Sequence, residues 1–229
     1  MIRYFTLLAY LAGLSLLLGL GFWQYSRGLE KSSIEMEWQD IKDNFLAVRS
    51  LNEINFDRYQ TVQIKGRWDI DRQFLLENRI HQTQNGFEVF TPFTLQESGE
   101  VILVNRGWVN KTDIDGIFSN LVPHEESLRG VIYKPEKGFT LGDSILQRSD
   151  WPQKFQYFDA SALSESYGSE IPEMVLVLDK NHAAVFTPIW SPTVVTASRH
   201  YGYAVQWWGL AVVMLVFGFI WKNQKPANR

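Results

Sequence analysis

The residue best placed to do chemistry is His200, at the start of a long apolar run. Arg199 precedes it, and His200, Tyr203 and Trp207 recur at i, i+3 and i+7, a spacing that puts them on one face of a helix. An ionisable side chain at this depth indicates a functional site. The simpler interpretation is that His200 only anchors the end of the helix at a membrane surface.

Most other kinds of site are excluded. The chain has no cysteine, which excludes disulfides, thiolate metal sites and thiol catalysis. The phosphate-binding loop, H-E-x-x-H and G-x-S-x-G signatures are also missing. His81, His124 and His182 have no second ligand at metal-binding spacing, so they are predicted to be surface residues.

Two apolar runs predict membrane spans. Residues 4–25 and 201–221 carry no charge, and a helix of about 20 residues crosses the ~30 Å hydrocarbon core of a bilayer. A cleaved signal peptide fits the first run poorly, because the run is longer than the usual apolar region and no A-x-A-like site follows. We expect an uncleaved anchor.

The charges predict the orientation. Arg3, Lys222, Lys225 and Arg229 lie in tails without acids, so both termini are predicted to be cytoplasmic. These are four of the 22 Lys and Arg, so 18 basic residues face 25 acids between the spans, a net charge of −7 there. Such a segment repels nucleic acid. A bacterial inner membrane, with the central segment periplasmic, is the simplest location.

Antiparallel spans would bring the end of the first to the start of the second. Trp23, Gln24 and Arg27 would then share a membrane depth with His200 and its neighbours. An imidazole can bind haem iron, aromatic faces can stack on the ring, and guanidinium groups can pair with the propionates. Spacing alone leaves three ligands open: haem, a quinone, or the transmembrane helix of a partner.

The segment between the spans is predicted to be mostly β. After an amphipathic helix containing Trp38, Phe45 and Val48, apolar residues alternate from Tyr59 onward. Turns are predicted at Asn85-Gly86 and Ser98-Gly99, the second within a hairpin. Strands are predicted at 62–68, 74–76, 86–95, 101–109, 128–133, 155–158 and 175–178, with 101–104 central because both its faces are apolar. Asp159 is expected to cap a short helix that runs through Tyr167 to Gly168.

The predicted class is therefore an α+β membrane protein, with two transmembrane helices flanking a mostly antiparallel barrel or sandwich. The predicted segments are a tail at 1–3, a span at 4–26, a periplasmic domain at 27–199, a span at 200–221 and a tail at 222–229.

Five motifs give the chain a family resemblance. They are G-F-W-Q at 21–24 with Arg27 and Lys31, G-R-W at 66–68, T-P-F at 91–93, V-N-R-G-W-V at 104–109 and H-Y-G-Y-A-V-Q-W at 200–207. In order and over nearly the whole chain, they resemble the surfeit-locus-one family of haem–copper oxidase assembly factors. Asn110 stands where the family usually has proline after V-N-R-G-W-V.

The resemblance implies a non-enzymatic factor that binds haem a and assists its insertion into the catalytic subunit of a cytochrome c oxidase. It implies that His200 is the axial ligand of the iron and that Trp23 belongs to the same site. We expect Trp207 to flank the ring with Trp23, Tyr203 to share the helix face of His200 and Trp207, and Arg27 and Arg199 to hold the propionates. The implied partners are the oxidase subunit, haem a synthase and the lipid bilayer. The alternative is a membrane scaffold that stabilises the oxidase subunit without binding haem.

The V-N-R-G-W block also has a structural interpretation. Gly107 is expected to supply a bulge or a positive φ that folds Trp108 under the sheet.

Overall fold

The computed structural model describes residues 2–41, 44–54, 59–114, 125–135, 144–145, 150–193 and 195–223. These residues form three α-helices, α1 (Ile2–Ile41), α2 (Ala160–Tyr167) and α3 (Ala197–Asn223). The chain divides into two compact units. One comprises Met1–Trp38 and Ser191–Arg229, and the other comprises Gln39–Trp190.

The helices α1 and α3 of the first unit are both long and apolar enough to cross a membrane. Only 6% of the most apolar part of α1 and 11% of that of α3 is buried within the protein, unlike the core helix of a soluble domain. The two predicted spans therefore exist as helices at the predicted places.

The amphipathic helix predicted after the first span is continuous with it. The Ser33 hydroxyl donates to the Glu30 carbonyl of the same helix at 2.7 Å. The prediction that the helix reaches Phe45 and Val48 is wrong, because α1 ends at Ile41. The Val48 N–H donates to the Gln63 carbonyl at 2.9 Å, so strand pairing overrides the helical periodicity there.

The second unit is built on one mixed sheet of eight described strands. Five pairings are antiparallel and three are parallel. The strands are β1 (Leu46–Ala47), β2 (Gln60–Trp68), β3 (Phe74–His81), β4 (Gln84–Leu95), β5 (Val101–Asn110), β6 (Glu125–Tyr133), β7 (Gln153–Phe155) and β8 (Val175–Leu178).

Five of these strands close into a barrel. The ring runs β2, β6, β8, β5 and β4, and it closes because Gly66–Trp68 of β2 also pairs with Phe93–Leu95 of β4. The strands β3, β7 and β1 extend the sheet outside this ring. Of the two arrangements predicted for the domain between the spans, barrel and sandwich, the barrel is the one that forms.

The strand β5 is buried on both faces, as its apolar run predicted. Ile102 and Val104 point into the barrel, where they pack with inward-facing residues of the other four strands. Val101 and Leu103 point outward into a second cluster that includes Leu163 and Tyr167 of α2. The helix α2 has the predicted ends: the Asp159 carboxylate accepts from two backbone N–H groups, and Gly168 has a φ of 83°.

Two local predictions are corrected. Asn85-Gly86 is not a turn but part of β4, and the preceding turn lies at Gln82 and Thr83, both with positive φ. The register of β3 and β4, in which His81 pairs with Gln84, sets this turn. The strand predicted at 155–158 lies earlier, at Gln153–Phe155, because it pairs with Phe74–Leu76 of β3. The hairpin around Ser98-Gly99 is confirmed.

Candidate functional site

The helices α1 and α3 lie antiparallel, and contacts join them along their length. Near the start of α1, the Tyr10 hydroxyl donates to the Met214 carbonyl at 3.0 Å. Further along, Glu35 Oε1 accepts from the Ala197 N–H at 3.1 Å, at the first residue of α3. The end of the first apolar run therefore meets the start of the second, as the sequence predicted.

Small residues form the seam between the two helices. Ala197, Ala204 and Ala211 of α3 are buried and lie seven residues apart. Gly21 and Gly28 of α1 are also buried and have the same spacing. A seven-residue repeat keeps one side of a helix against its partner, and small side chains let the two backbones approach closely.

Aromatic rings pack on one flank of this seam. The rings of Phe22 and Trp208 have centroids 5.5 Å apart, and those of Tyr25 and Tyr201 are 5.7 Å apart. Tyr25 also contacts Trp208, at 6.0 Å. These rings pack against each other across the two helices. Because rotating either helix would separate them, the contacts fix the rotation of each helix about its axis.

His200 lies on the opposite flank and is bound to Gln24. His200 Nδ1 and Gln24 Oε1 are 2.8 Å apart, and both side chains are half-buried. Gln24 lies three residues after Gly21 and four before Gly28, and His200 lies three after Ala197 and four before Ala204. Helical spacing therefore places both side chains at the edge of the seam.

The other predicted residues of α1 make no hydrogen bond to His200 among the described residues. Arg27 Nη1 pairs with Glu30 Oε2 at 2.7 Å, so a propionate at Arg27 would share or replace that carboxylate. The Trp23 side chain is 51% exposed. Trp23 follows the buried Gly21 by two residues, about 200° around the helix, and so points away from the seam.

Of the three other residues predicted on α3, two lie on the same side of the helix as His200. Trp207 is half-buried, whereas Tyr203 is 48% exposed and Arg199 is also exposed. Helical spacing puts Trp207 and Tyr203 beside His200, on the flank away from the packed rings. Arg199 precedes His200 by one residue and lies further round the helix. A flat ligand on this flank would reach Trp207 and Tyr203 before Trp23.

The donor set fits a haem. His200 engages Gln24 through Nδ1, and among the described residues its Nε2 makes no hydrogen bond. An imidazole in this state can present Nε2 to iron. Trp207 and Tyr203 offer exposed ring surface, and Arg27 and Arg199 offer exposed guanidinium groups within one turn of Gln24 and His200.

Two contributors to this arrangement were missed by the sequence reasoning. Glu35 binds the first turn of the helix that carries His200, and its Oε1 also accepts from the Thr193 hydroxyl at 3.3 Å. The spacing of Gly21, Gly28 and Glu35, seven residues apart, could have revealed it as a residue of the seam. The packing of Tyr25 against Tyr201 and Trp208 had no such signal, because aromatic residues at a membrane surface are common.

The V-N-R-G-W block contains a bulge of β5, as its structural interpretation predicted. Gly107 has a φ of 101°, and the pairing of β4 with β5 shifts register at this point. Trp108 is buried and its indole Nε1 donates to the Arg79 carbonyl at 2.9 Å. Two backbone bonds, of 2.7 and 3.1 Å, join Trp108 to Thr187, so the block also holds the segment that leads towards α3.

Arg106 of this block is fully buried. Its Nε donates to the Ala184 carbonyl at 2.9 Å, and its Nη1 donates to Gln73 Oε1 at 3.3 Å. The guanidinium lies 4.5 Å from the centre of the Phe186 ring. Burial lowers the pKa of Arg106 to about 10, although the negative charge of Glu126 acts in the opposite direction and raises it. Arg106 is thus a charged core residue that holds the 184–186 segment.

The remaining histidines do not form a metal site within the described residues, where no group of three potential metal ligands occurs. His182 Nε2 lies 3.1 Å from Glu126 Oε1, and the His81 ring packs at a tilt against Trp108 with ring centroids 5.3 Å apart. His182 is therefore partly buried and paired rather than a free surface side chain. His124 lies outside the described residues.

Comparison with known proteins identifies the family. The SURF1 family matches residues 11–212, which include the barrel and parts of both apolar helices. The chain is 26% identical to "Surfeit locus protein 1" of Rattus norvegicus over 213 residues, covering 84% of this chain and 67% of that protein. It is 24% identical to the "SURF1-like protein" of Rickettsia prowazekii over 238 residues, covering 93% of this chain and 90% of that one. A "SURF1-like protein" of Drosophila melanogaster is 25% identical over 229 residues, with 90% and 73% covered. The chain belongs to the SURF1 family.

Proposed function

We propose that this chain is an assembly factor for haem–copper oxidase, and that it binds haem a and assists its insertion into the catalytic subunit. Its place in the SURF1 family supports the assembly role, because that family is known as a cytochrome oxidase assembly factor rather than as a catalytic family. The match covers the barrel and reaches into both membrane-length helices, so it concerns the architecture and not one motif.

The observation that supports haem binding is the state of His200. Its Nδ1 is engaged by Gln24 at 2.8 Å, which leaves the Nε2 lone pair available to bind a haem iron. Trp207 would flank the macrocycle with Tyr203 beside it, and Arg27 and Arg199 would pair with the propionates. Trp23 points away from the seam, so it would meet at most the outer edge of the ring. Binding through one protein ligand instead of two would leave the haem exchangeable, as a carrier requires.

The proposed location is a bacterial inner membrane, with both termini in the cytoplasm and the barrel in the periplasm. The two membrane-length helices and the Rickettsia relative support a bacterial membrane protein. The basic tails at Arg3 and at 222–229 support the orientation. In this arrangement the barrel would dock on the oxidase catalytic subunit or on haem a synthase.

The proposal is tested in a bacterial strain that lacks its own member of the family. The chain and its His200→Ala variant are expressed there, and assembled oxidase is measured in membranes by its haem a absorption and oxygen consumption. We expect the unaltered chain and a His81→Ala control to restore the oxidase, and His200→Ala to restore much less. Full restoration by His200→Ala would favour a scaffold that stabilises the oxidase subunit without binding haem. No restoration by the unaltered chain would contradict the assembly role.

A further inference from the structure

The bond between Gln24 and His200 determines which imidazole nitrogen can bind a metal. Gln24 presents Oε1 to His200 Nδ1 at 2.8 Å. A carbonyl oxygen only accepts hydrogen bonds, so the proton of the neutral ring must lie on Nδ1 and the lone pair on Nε2. We propose that Gln24 is a positioning residue that fixes His200 in the Nδ1–H tautomer with Nε2 presented for iron. For its haem part, this inference rests on the proposed function.

The seam explains why Gln24 can hold the ring in place. The two buried glycines on either side of Gln24 and the two buried alanines on either side of His200 let α1 and α3 approach closely. Gln24 therefore reaches the imidazole directly, without an intervening residue. Partial burial of both side chains also strengthens their hydrogen bond relative to one in water.

The chemistry of an amide suits a carrier. A carboxylate at this position would raise the basicity of the imidazole and hold iron more firmly, which is its usual effect behind metal-binding histidines. It would also place a second ionisable group at membrane depth, which is costly. A neutral amide supplies the orientation without either effect, so the histidine can bind haem and also release it.

The first test needs no haem. The full-length chain is labelled with ¹⁵N-histidine in detergent micelles, and the His200 signals are assigned by their loss in His200→Ala. At a pH where the ring is neutral, we expect the Nδ1–H form in the unaltered chain and a mixture of tautomers in Gln24→Leu. Gln206→Leu makes the same chemical change at an exposed position of α3 and should leave the signals unchanged. An Nε2–H form in the unaltered chain, or an unchanged tautomer in Gln24→Leu, would overturn the proposal.

The second test measures haem a affinity and release by absorption spectroscopy. Loss of an outer partner of a metal ligand typically weakens binding about 10–100-fold, so Gln24→Leu should bind haem more weakly by that factor and Gln206→Leu should not. Gln24→Glu keeps a hydrogen-bond acceptor for His200 Nδ1, so it should not show the weak haem binding of Gln24→Leu. It should release haem more slowly than the unaltered chain. If Gln24→Leu binds haem as tightly as the unaltered chain, Gln24 does not position the ligand.

The two tests separate the inference from the function. If the unaltered chain binds no haem but shows the Nδ1–H tautomer that depends on Gln24, the proposed haem role fails and the tautomer assignment stands. If haem binds through His200 while the tautomer does not depend on Gln24, the proposed function stands and this inference fails.

Discussion

Gly28 of α1 lies directly against the ring of Tyr201 of α3, so close that a Cβ at position 28 would be 2.4 Å from Tyr201 Cε1. No other residue fits there unless the ring or the helix moves. This contact lies one helical turn from Gln24 and one residue from His200. The fit of the two helices at this point therefore sets the distance across which Gln24 reaches the imidazole.

Gly28→Val should destabilise the helix pair by about 1–3 kcal/mol, the usual cost of overpacking a tight contact. The measurement is thermal unfolding of the full chain in detergent. Gly19→Val is the matched control, because a Cβ at Gly19 meets nothing within 4 Å. Equal unfolding temperatures for the two variants would show that the helices do not pair as described.

Because the chain has no cysteine, pairing of the helices can also be read by cross-linking. Met214 Cε and Sδ would lie 3.1 and 3.8 Å from a Cβ at Gly13, so the two cysteines of a Gly13→Cys/Met214→Cys chain should be joined by a short thiol-reactive bifunctional reagent. Adding Gly28→Val to this chain should lower the yield, and adding Gly19→Val should not.

Glu35→Ala should loosen the first turn of α3. The Glu35 carboxylate accepts from the Ala197 N–H, and an acceptor at a helix N-terminus contributes about 1 kcal/mol. We expect the amides of residues 197–200 to exchange with deuterium about fivefold faster, since 1 kcal/mol corresponds to such a factor. Glu37→Ala, at an exposed position on the same helix, should leave those amides unchanged. Equal rates in both variants would contradict the capping role.

Arg106→Ala should lower the free energy of unfolding of the barrel by about 2–5 kcal/mol. The substitution opens a cavity and leaves the buried Ala184 carbonyl without its donor. Arg106→Met should cost less, because methionine fills much of the volume and removes a buried charge. Urea unfolding followed by near-ultraviolet circular dichroism measures both. Arg129→Ala, at an exposed position of β6, should change stability by no more than about 0.5 kcal/mol. A loss in Arg106→Ala no larger than that control would refute the anchoring role.

The stability of the barrel should fall in mild acid partly through Glu100. Burial alone would raise the pKa of Glu100, but bonds from the Ser98 hydroxyl, the Leu51 N–H and the Ser50 hydroxyl outweigh it and lower the pKa below its usual 4.5. A carboxyl group whose pKa is lowered by folding stabilises the protein above its unfolded-state pKa. That contribution disappears as the pH falls from 4.5 through the lower folded-state value.

Glu100→Gln should therefore be less stable than the unaltered chain at neutral pH and lose less stability as the pH falls below 4.5. The measurement is the free energy of unfolding at several pH values. Glu97→Gln removes the same charge from a side chain that is 60% exposed, and it should keep the original pH profile. Parallel profiles for Glu100→Gln and the unaltered chain would rule out this source of acid sensitivity.

The sequence predicted those parts of the fold whose signals are local. The helix α2 was predicted to the residue because Asp159 and Gly168 are its own caps. The double burial of β5 followed from four consecutive apolar residues. The closure of the barrel through Gly66–Trp68 and Phe93–Leu95 could not be predicted, because pairing between distant strands leaves no mark on either strand alone. The turn at Gln82 and Thr83 was missed because Asn85-Gly86 carries the stronger turn signal.

In the candidate site, too, the features with local sequence signals were predicted and those that depend on packing between distant residues were not. Residue type and position identified His200, and the charge and length of the two apolar runs predicted what would lie beside it. The hydrogen bond to Gln24 could not be predicted, because it depends on the rotation of each helix about its axis. That rotation is set by contacts such as Gly28 with Tyr201 and Phe22 with Trp208. The same rotation turns Trp23 away from the seam, which helical spacing shows only once the buried face of α1 is known.

The central claim is that His200 holds a haem at the seam of α1 and α3. The most direct measurement is the absorption spectrum and haem-to-protein ratio of the full-length chain purified from cells that make haem a, beside its His200→Ala variant. We expect a haem a spectrum in the unaltered chain and its loss in His200→Ala, with both proteins equally folded by circular dichroism. A His200→Ala protein that keeps the full haem complement with an unchanged spectrum would contradict it.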